Sequence, residues 1–154
     1  GNTLRHLKNR WQADVFDRKP DYLALLIGIN DVWRQFDTPY QPEWAVFPDE
    51  YAATLDELVA RTTPRVQKLI LMTPYYLEVN KKDAMRAQMD RYGTIVRKIA
   101  ARHGTLCVDT QAAFAPVLAV HHANGLAWDR VHPNEAGHMV LARAFLDAVG
   151  YQWK

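Results

Sequence analysis

The chain has 154 residues, 49% of them apolar, and a formal net charge of +2 at pH 7. This length and apolar content suit one domain with a buried core, and the small charge, carried by scattered basic residues, argues against nucleic acid as a partner. No apolar run approaches the ~18 residues that a membrane-spanning helix needs, so no membrane span is expected.

Apolar residues in the first third of the chain predict a helix, a strand and a long loop. The helix is indicated by apolar residues at spacings of three and four: Leu4, Leu7, Trp11 and Val15. Pro20 ends it. The continuous apolar run from Tyr22 to Ile27 is typical of a parallel strand covered on both faces, and Gly28 ends that strand. From Val32 to Pro48 three prolines interrupt the pattern, which predicts a long loop.

The rest of the chain alternates in the same way. The predicted elements are a helix from Pro48 to the Thr62-Thr63-Pro64 stop, a strand from Val66 to Met72, a helix from about Asp83 to His103 with Gly104 as its C-cap, a strand from Leu106 to Val108, a helix from Gln111 to His121, and a last helix that begins at Asn134 and continues through Val149. This order predicts one α/β layer domain with a parallel sheet over residues 1–154.

Two features of the chain bear on its cellular context. The single cysteine, Cys107, cannot form an internal disulfide and suits a reducing compartment, which favours a cytoplasmic location. The chain begins at Gly1 rather than Met, so we expect an upstream segment that lies outside it. A secretory signal could belong to that segment, and export therefore stays open.

A polar turn comes directly after the first predicted strand. It reads Gly28-Ile29-Asn30-Asp31. In parallel sheets, ligands bind outside the carboxyl ends of the strands, and the Asn30 amide is a candidate donor to an oxyanion there. We expect Asp31 to brace the Gly28 turn. The alternative is that the whole segment is simply a polar turn.

An acid–base pair lies near the end of the chain, in Asp129-Arg130-Val131-His132-Pro133. An acid three residues before a histidine can hold the imidazole Nδ1–H within one local turn and leave Nε2 free as a base. Pro133 favours an extended conformation for His132. The alternative is a hydrogen-bonded loop histidine beside an acid. The chain contains no serine, so a Ser-His-Asp arrangement would need a nucleophile from outside it.

Several other side chains are open to more than one interpretation. Rings in predicted loops suit the faces of sugars but also core or subunit contacts; they are Trp33, Tyr40, Trp44, Tyr75, Tyr76 and Trp128. Arg34 and Arg130 could meet substrate hydroxyls or carboxylates, or form surface salt bridges. His138 lies six residues after His132, but no ligand-spacing signature accompanies it, so we expect neither a metal nor another cofactor.

Together, the Gly28–Asp31 and Asp129–Pro133 blocks resemble two sequence blocks of the SGNH (GDSL-type) hydrolase family. Gly1-Asn2-Thr3 resembles the end of another block of that family. The stretches 28–35, 72–74 and 127–133 are similar to the acetylxylan esterase branch. The resemblance covers essentially the whole chain, and the blocks occur in the family's order.

The resemblance implies a three-layer α/β/α, flavodoxin-like SGNH fold that lacks its first strand in this chain, that is, a single N-terminally truncated domain. It implies that His132 is the general base and then the acid, that Asp129 orients it, and that Asn30 and the Gly1 backbone N–H are oxyanion-hole donors. The family's Gly-Asp-Ser block, which would supply the nucleophile and a third donor, is absent from these 154 residues.

The expected function is therefore that of a serine esterase that removes acetyl groups from carbohydrate, such as xylan or xylo-oligosaccharide, with its serine on a segment outside this chain. Substrate contacts are expected from Trp33, Arg34, Tyr75 and Trp128. The alternative is an inactive carbohydrate-binding relic of the same fold. We expect the isolated chain to be inactive and poorly stable, and a homo-oligomer is left open.

Overall fold

The computed structural model describes residues 1–153 and contains a parallel sheet of three strands. Strand β1 (Tyr22–Leu26) pairs with β2 (Lys68–Met72), and β2 pairs with β3 (Leu106–Val108). The α-helices of the described residues are α1 (Leu4–Trp11), α2 (Ile29–Asp37), α3 (Pro48–Thr62), α4 (Ala84–His103), α5 (Thr110–Leu118) and α6 (Glu135–Ala148). A π-helical turn, Gln12–Phe16, continues α1, and 3₁₀ turns lie at Pro42–Trp44, Thr63–Arg65 and Ala123–Gly125. The parallel sheet agrees with the sequence prediction.

The two faces of the sheet are covered by different helices. Leu69 and Leu71 of β2 belong to a large apolar core that includes buried residues of α1, α2, α3 and α4. Ile70 and Met72, which point to the opposite face, pack with Val108 of β3 against α6. Because side chains alternate along a strand, β2 serves both cores at once. The result is a helix layer, a sheet and a second helix layer.

Strand β1 departs from the prediction that both its faces are covered. Leu25 is buried in the larger core, but Tyr22 is 63% exposed and Leu26 is 41% exposed. These two side chains point to the same face as Met72, where α6 packs over β2 and β3 and leaves β1 uncovered. The prediction was wrong for this face, since an apolar run does not reveal which neighbours a strand has in a given chain.

The long loop predicted from Val32 to Pro48 was wrong in its first part. Helix α2 extends to Asp37, and its Val32 side chain is fully buried. All three prolines of this segment lie beyond Asp37, so they do not disturb the helix. A hydrogen bond from Gln35 Nε2 to the Tyr92 hydroxyl, 2.9 Å long, fixes α2 to α4. Tertiary packing therefore stabilises a helix that the local sequence pattern alone does not predict.

The remaining predicted elements are present, with ends shifted by a few residues. Gly104 ends α4 in the left-handed conformation, with φ of 64°, and Asn134 caps α6 by accepting the Gly137 amide at 3.1 Å. Helix α5 ends at Leu118 instead of His121. Over residues 1–153, no helix combines the length and the apolar character needed to span a membrane.

We predict that Gly137→Ala destabilises the fold, because a Cβ at this position would lie 2.7 Å from both the Leu126 carbonyl oxygen and Pro133 Cβ. Such overpacking costs typically ~1–3 kcal/mol in the free energy of unfolding, which urea denaturation measures. The matched control is Gly125→Ala, since a Cβ there meets nothing within 4 Å. Equal urea midpoints for the two variants would contradict the prediction.

Candidate active site

The segments that follow β1 and β2 come into close contact at Gly28. This glycine has φ of 130°, and a Cβ on it would lie 3.0 Å from the Pro74 ring, which comes just after β2. The neighbouring Tyr51 hydroxyl donates to the Ile27 carbonyl at 2.9 Å. Only glycine suits this combination of backbone conformation and close approach. Helix α2 therefore starts directly at the sheet edge and carries Asn30 in its first turn.

Asp129 and His132 form the predicted pair. His132 Nδ1 lies 2.6 Å from Asp129 Oδ2, and Asp129 Oδ1 accepts the backbone amides of Val131 at 3.0 Å and His132 at 2.8 Å. The imidazole is 66% exposed, whereas the carboxylate is only 13% exposed. With Nδ1 donating to Asp129, Nε2 keeps its lone pair on the accessible side of the ring. That is the geometry a general base requires.

The surroundings of Asp129 keep it ionised. Burial raises the pKa of this carboxyl. Hydrogen bonds from the His132 amide, the imidazole and the Val131 amide lower the pKa by more than burial raises it, so its net value is about 2. A permanent negative charge beside Nδ1 stabilises an imidazolium when one forms. The pair can therefore accept a proton at Nε2 without losing its orientation.

The turn between these two residues holds Arg130 in an unusual backbone conformation. Its φ is 65°, one of two positive values for non-glycine residues within 1–153. The left-handed region costs a residue with a side chain roughly 1–2 kcal/mol. Of the two interpretations that the sequence left open for Arg130, the structure shows a salt bridge: its guanidinium lies 2.6 Å from Glu78 Oε2.

Gly1 and Asn30, the two predicted oxyanion donors, lie side by side. Asn30 Nδ2 donates to the Asn2 carbonyl at 2.9 Å, which uses one of its two amide protons and leaves the other free to donate. Both residues line a cavity of about 390 Å³ at the ends of β1 and β2, together with Tyr75. Burial, and next the charge of Asp129, raise the pKa of Tyr75 to about 12. Tyr75 is thus a neutral phenol that lines the cavity and feels the charge of Asp129.

Of the predicted substrate contacts, Trp33 packs directly against the base. Its ring meets the His132 ring edge-on, with centroids 5.6 Å apart, and the Arg34 guanidinium lies 5.4 Å from the centre of the Trp33 ring. Arg34 also pairs with Asp37 and lines a second cavity of about 310 Å³ beside Gly1. Trp128 is 80% exposed. Among residues 1–153, no aromatic contact joins it to His132, so its role stays a prediction.

Asp31 has a role that sequence reasoning missed. Its side chain is fully buried. Oδ1 accepts the Leu4 amide, the first of α1, at 2.9 Å, so its partner lies outside the Gly28 turn that we expected it to brace. Oδ2 has no hydrogen-bond partner within residues 1–153. Burial raises the pKa of Asp31 to about 7, although the Leu4 amide opposes the shift. No local pattern reveals this contact, because it joins residues 27 positions apart.

The sequence analysis did not lead us to expect a metal site. Among residues 1–153, no group of three or more His, Cys, Asp or Glu side chains lies close enough to hold a metal ion. His138 is exposed on α6. The polar groups at the sheet edge are of the kinds used in acid–base catalysis and charge stabilisation.

Similarity to known proteins decides the family. Residues 1–140 match the model of the GDSL-like Lipase/Acylhydrolase family. The chain belongs to this family. It is 56% identical over 153 residues to an acetylxylan esterase from Geobacillus stearothermophilus and covers 99% of its own length and 70% of that protein.

Solved structures support the GDSL-type fold. The crystal structure of the acetylxylan esterase from Geobacillus stearothermophilus superposes with a TM-score of 0.97 at 55% identity, over 99% of this chain and 69% of that one. An α/β hydrolase from the metagenome of Lake Arreo, Spain, gives a TM-score of 0.97 at 58% identity, over 99% of this chain and 70% of that one. The predicted fold class and the resemblance to the SGNH family and its acetylxylan esterase branch are confirmed.

We predict that Asp31→Asn changes how stability depends on pH. The ordinary pKa of the carboxyl is 3.8 and its folded value is about 7. Its contribution is therefore fully present below pH 3.8 and lost as the pH rises through 7. From about pH 5 to about pH 8 the parent should lose on the order of 2–3 kcal/mol of unfolding free energy from this group, and Asp31→Asn should not.

Urea unfolding at several pH values measures this difference. The control is Asp14→Asn, which removes a carboxylate that is about half exposed in an ion pair with Arg10. This control should show the same pH dependence as the parent. A parallel pH profile for Asp31→Asn and the parent would show that the buried carboxyl does not titrate in this range.

Proposed function

We propose that this chain supplies the base, the orienting acid and two oxyanion donors of a serine esterase. The single observation that supports this most is the 2.6 Å pair of Asp129 and His132, held at the sheet edge that also carries Asn30 and Gly1. The nucleophile comes from outside these 154 residues, because they contain no serine. Membership of the GDSL-like lipase/acylhydrolase family supports the same reaction class.

The proposed reaction begins when His132 Nε2 takes the proton of a serine hydroxyl as its oxygen attacks the ester carbonyl. Asp129 stabilises the imidazolium that forms. The second Asn30 amide proton and the Gly1 N–H, a backbone amide when a residue precedes it, donate to the developing oxyanion. His132 then gives its proton to the leaving alcohol oxygen, and a water molecule, activated by the same imidazole, hydrolyses the acyl-enzyme.

We further propose acetylated carbohydrate, such as acetylated xylan or xylo-oligosaccharide, as the substrate. Support comes from the similarity to an acetylxylan esterase and from the rings beside the base. Trp33 contacts His132, and Trp128 stands exposed next to Asp129. Such rings suit the apolar faces of sugars. The 390 Å³ cavity at Asn30 and Tyr75 offers room for the small acyl group.

A carbohydrate-binding role without turnover is the second candidate, since the chain has no serine. Binding alone does not require an imidazole held by a carboxylate whose pKa is about 2, so the esterase proposal is preferred. Calorimetric measurement of xylo-oligosaccharide binding, compared with an assay of ester hydrolysis, separates the two candidates. Binding by a protein that contains a Gly-Asp-Ser segment, without any ester hydrolysis, would favour the second candidate.

We predict that the 154-residue chain alone does not hydrolyse p-nitrophenyl acetate above the buffer rate, because no acyl-enzyme can form without a nucleophile. The chain preceded by a Gly-Asp-Ser segment, for example that of the acetylxylan esterase it resembles, should hydrolyse the ester. The control replaces the serine of that added segment by alanine and should be inactive. Substantial turnover by the 154 residues alone would overturn the proposed division of roles.

In that active protein, Asn30→Ala should lower kcat about 10²–10³-fold with little change in KM, because the lost donor acts on charge that develops only in the transition state.

Asp129→Asn in the same protein should lower kcat roughly 10⁴-fold, since an amide cannot hold the required imidazole tautomer. Steady-state kinetics on an acetyl ester measures both. Asn9→Ala, at an exposed position of α1, is the control, and a kcat for Asn30→Ala equal to that of this control would remove Asn30 from the oxyanion hole.

A further inference from the structure

We propose that Arg130 is a positioning residue, which keeps the Asp129–His132 turn in its left-handed backbone conformation and thereby fixes the base. Its consequence for turnover rests on the proposed esterase function, but the positioning itself does not. Three parts of the molecule take part: the backbone of the turn, the side chain of Arg130 and the segment that receives it.

The backbone of the turn needs a left-handed residue between the acid and the base. Asp129 Oδ1 accepts two successive amides, those of Val131 and His132, while Oδ2 meets the imidazole. Arg130, with φ of 65°, is the residue at which the chain bends back so that one carboxylate receives all three contacts. Residues with a Cβ leave this conformation readily unless their surroundings hold them in it.

Three consecutive residues hold Arg130 in this conformation. The Tyr76 ring centre lies 5.0 Å from the guanidinium carbon. The Leu77 amide donates to the Arg130 carbonyl at 3.0 Å. Glu78 Oε2 accepts from the guanidinium at 2.6 Å. Backbone and side chain of the strained residue are therefore both restrained, by one short segment on the C-terminal side of β2.

The receiving segment is itself firmly anchored. Glu78 is only 19% exposed in this pair; its Oε1 accepts the Asn80 amide at 2.8 Å, and its carbonyl accepts from Arg86 of α4. The Tyr76 amide donates to Gln111 Oε1, on α5, at 2.8 Å. Exposed ion pairs contribute little, but this acceptor is largely buried, and the segment that carries it is tied to α4 through Glu78 and to α5 through Tyr76. The contacts of Arg130 with Tyr76, Leu77 and Glu78 thus link the acid–base turn to the body of the fold.

Two substitutions at one position separate this role from direct contact with substrate. Arg130→Ala removes the side-chain contacts with Tyr76 and Glu78 but keeps a Cβ, so the turn should relax out of the left-handed region although the Leu77 amide can still donate to the carbonyl of residue 130. Arg130→Gly removes the same side-chain contacts, yet glycine occupies this region without strain, so the turn should persist. A guanidinium that acted on substrate directly would be lost equally in both variants.

The structural readout is NMR on the 154-residue chain. We expect the parent and Arg130→Gly to show a downfield Nδ1 proton on His132, the signature of its short hydrogen bond to Asp129, and Arg130→Ala to lose it. Carbon-detected titration should show the pKa of Asp129 rising from about 2 toward its ordinary 3.8 in Arg130→Ala only. Circular dichroism checks that every variant retains the fold, and Arg143→Ala, a 73% exposed arginine of α6, is the control.

The kinetic readout uses the chain preceded by a Gly-Asp-Ser segment. Arg130→Ala should lower kcat at least about tenfold with KM nearly unchanged, because a misplaced base slows chemistry more than binding. Arg130→Gly should stay close to the parent. Glu78→Gln should lower kcat in the parent background and have little effect in the Arg130→Gly background, where no strain needs to be restrained.

The outcomes distinguish the alternatives. Retention of the Nδ1 proton resonance in Arg130→Ala, or equal loss of it in both Arg130 variants, overturns the positioning role. If the resonance shows the expected pattern while no protein hydrolyses esters, the positioning stands and the proposed esterase function fails. Equal loss of kcat in both variants with the resonance intact assigns the guanidinium to the substrate and also overturns the proposal.

Discussion

The parallel pairing of β1 with β2 is the constraint on which the site depends. Five residue pairs, from Tyr22–Lys68 to Leu26–Met72, fix the register, so both strands end at the same level. Beyond the end of β1 lie Gly28 and the first turn of α2, and beyond the end of β2 lie Pro74 and the segment that restrains Arg130. Polar groups far apart in sequence therefore meet at one edge, as the topology of parallel sheets dictates.

Around that edge, stability and function make opposite demands on Asp31. A fully buried carboxyl whose Oδ2 lacks a partner within residues 1–153 is an expensive way to hold the Leu4 amide. The contact nevertheless joins the beginnings of α1 and α2, next to Gly1, which lies three residues before α1, and Asn30, which lies in the first turn of α2. A neutral side chain would avoid the burial of charge. Energetically poor interactions of this kind are commonly found where a site has to be held in place.

Sequence reasoning succeeded where the determinants are local. An acid three residues before a histidine defines its own turn, so the Asp129–His132 geometry was predictable, as was Asn134 as the cap of α6. It failed where distant residues decide. Helix α2 depends on contacts with α4, and the pairing of Arg130 with Glu78 spans 52 residues. Nothing in the local pattern indicates a left-handed arginine, because arginine has no intrinsic preference for that region.

The unpaired side of β1 affects which other strands this chain can pair with. Within residues 1–153 the strand pairs on one side only, and Tyr22 and Leu26 leave its α6-side face apolar and open to water. Such edges commonly pair with other strands, so we expect concentrated solutions of the chain to self-associate. A parallel strand added there would end beside Gly28, because register carries each strand to the same level. Any group carried just beyond its last residue would be delivered to the edge that holds Asn30 and His132.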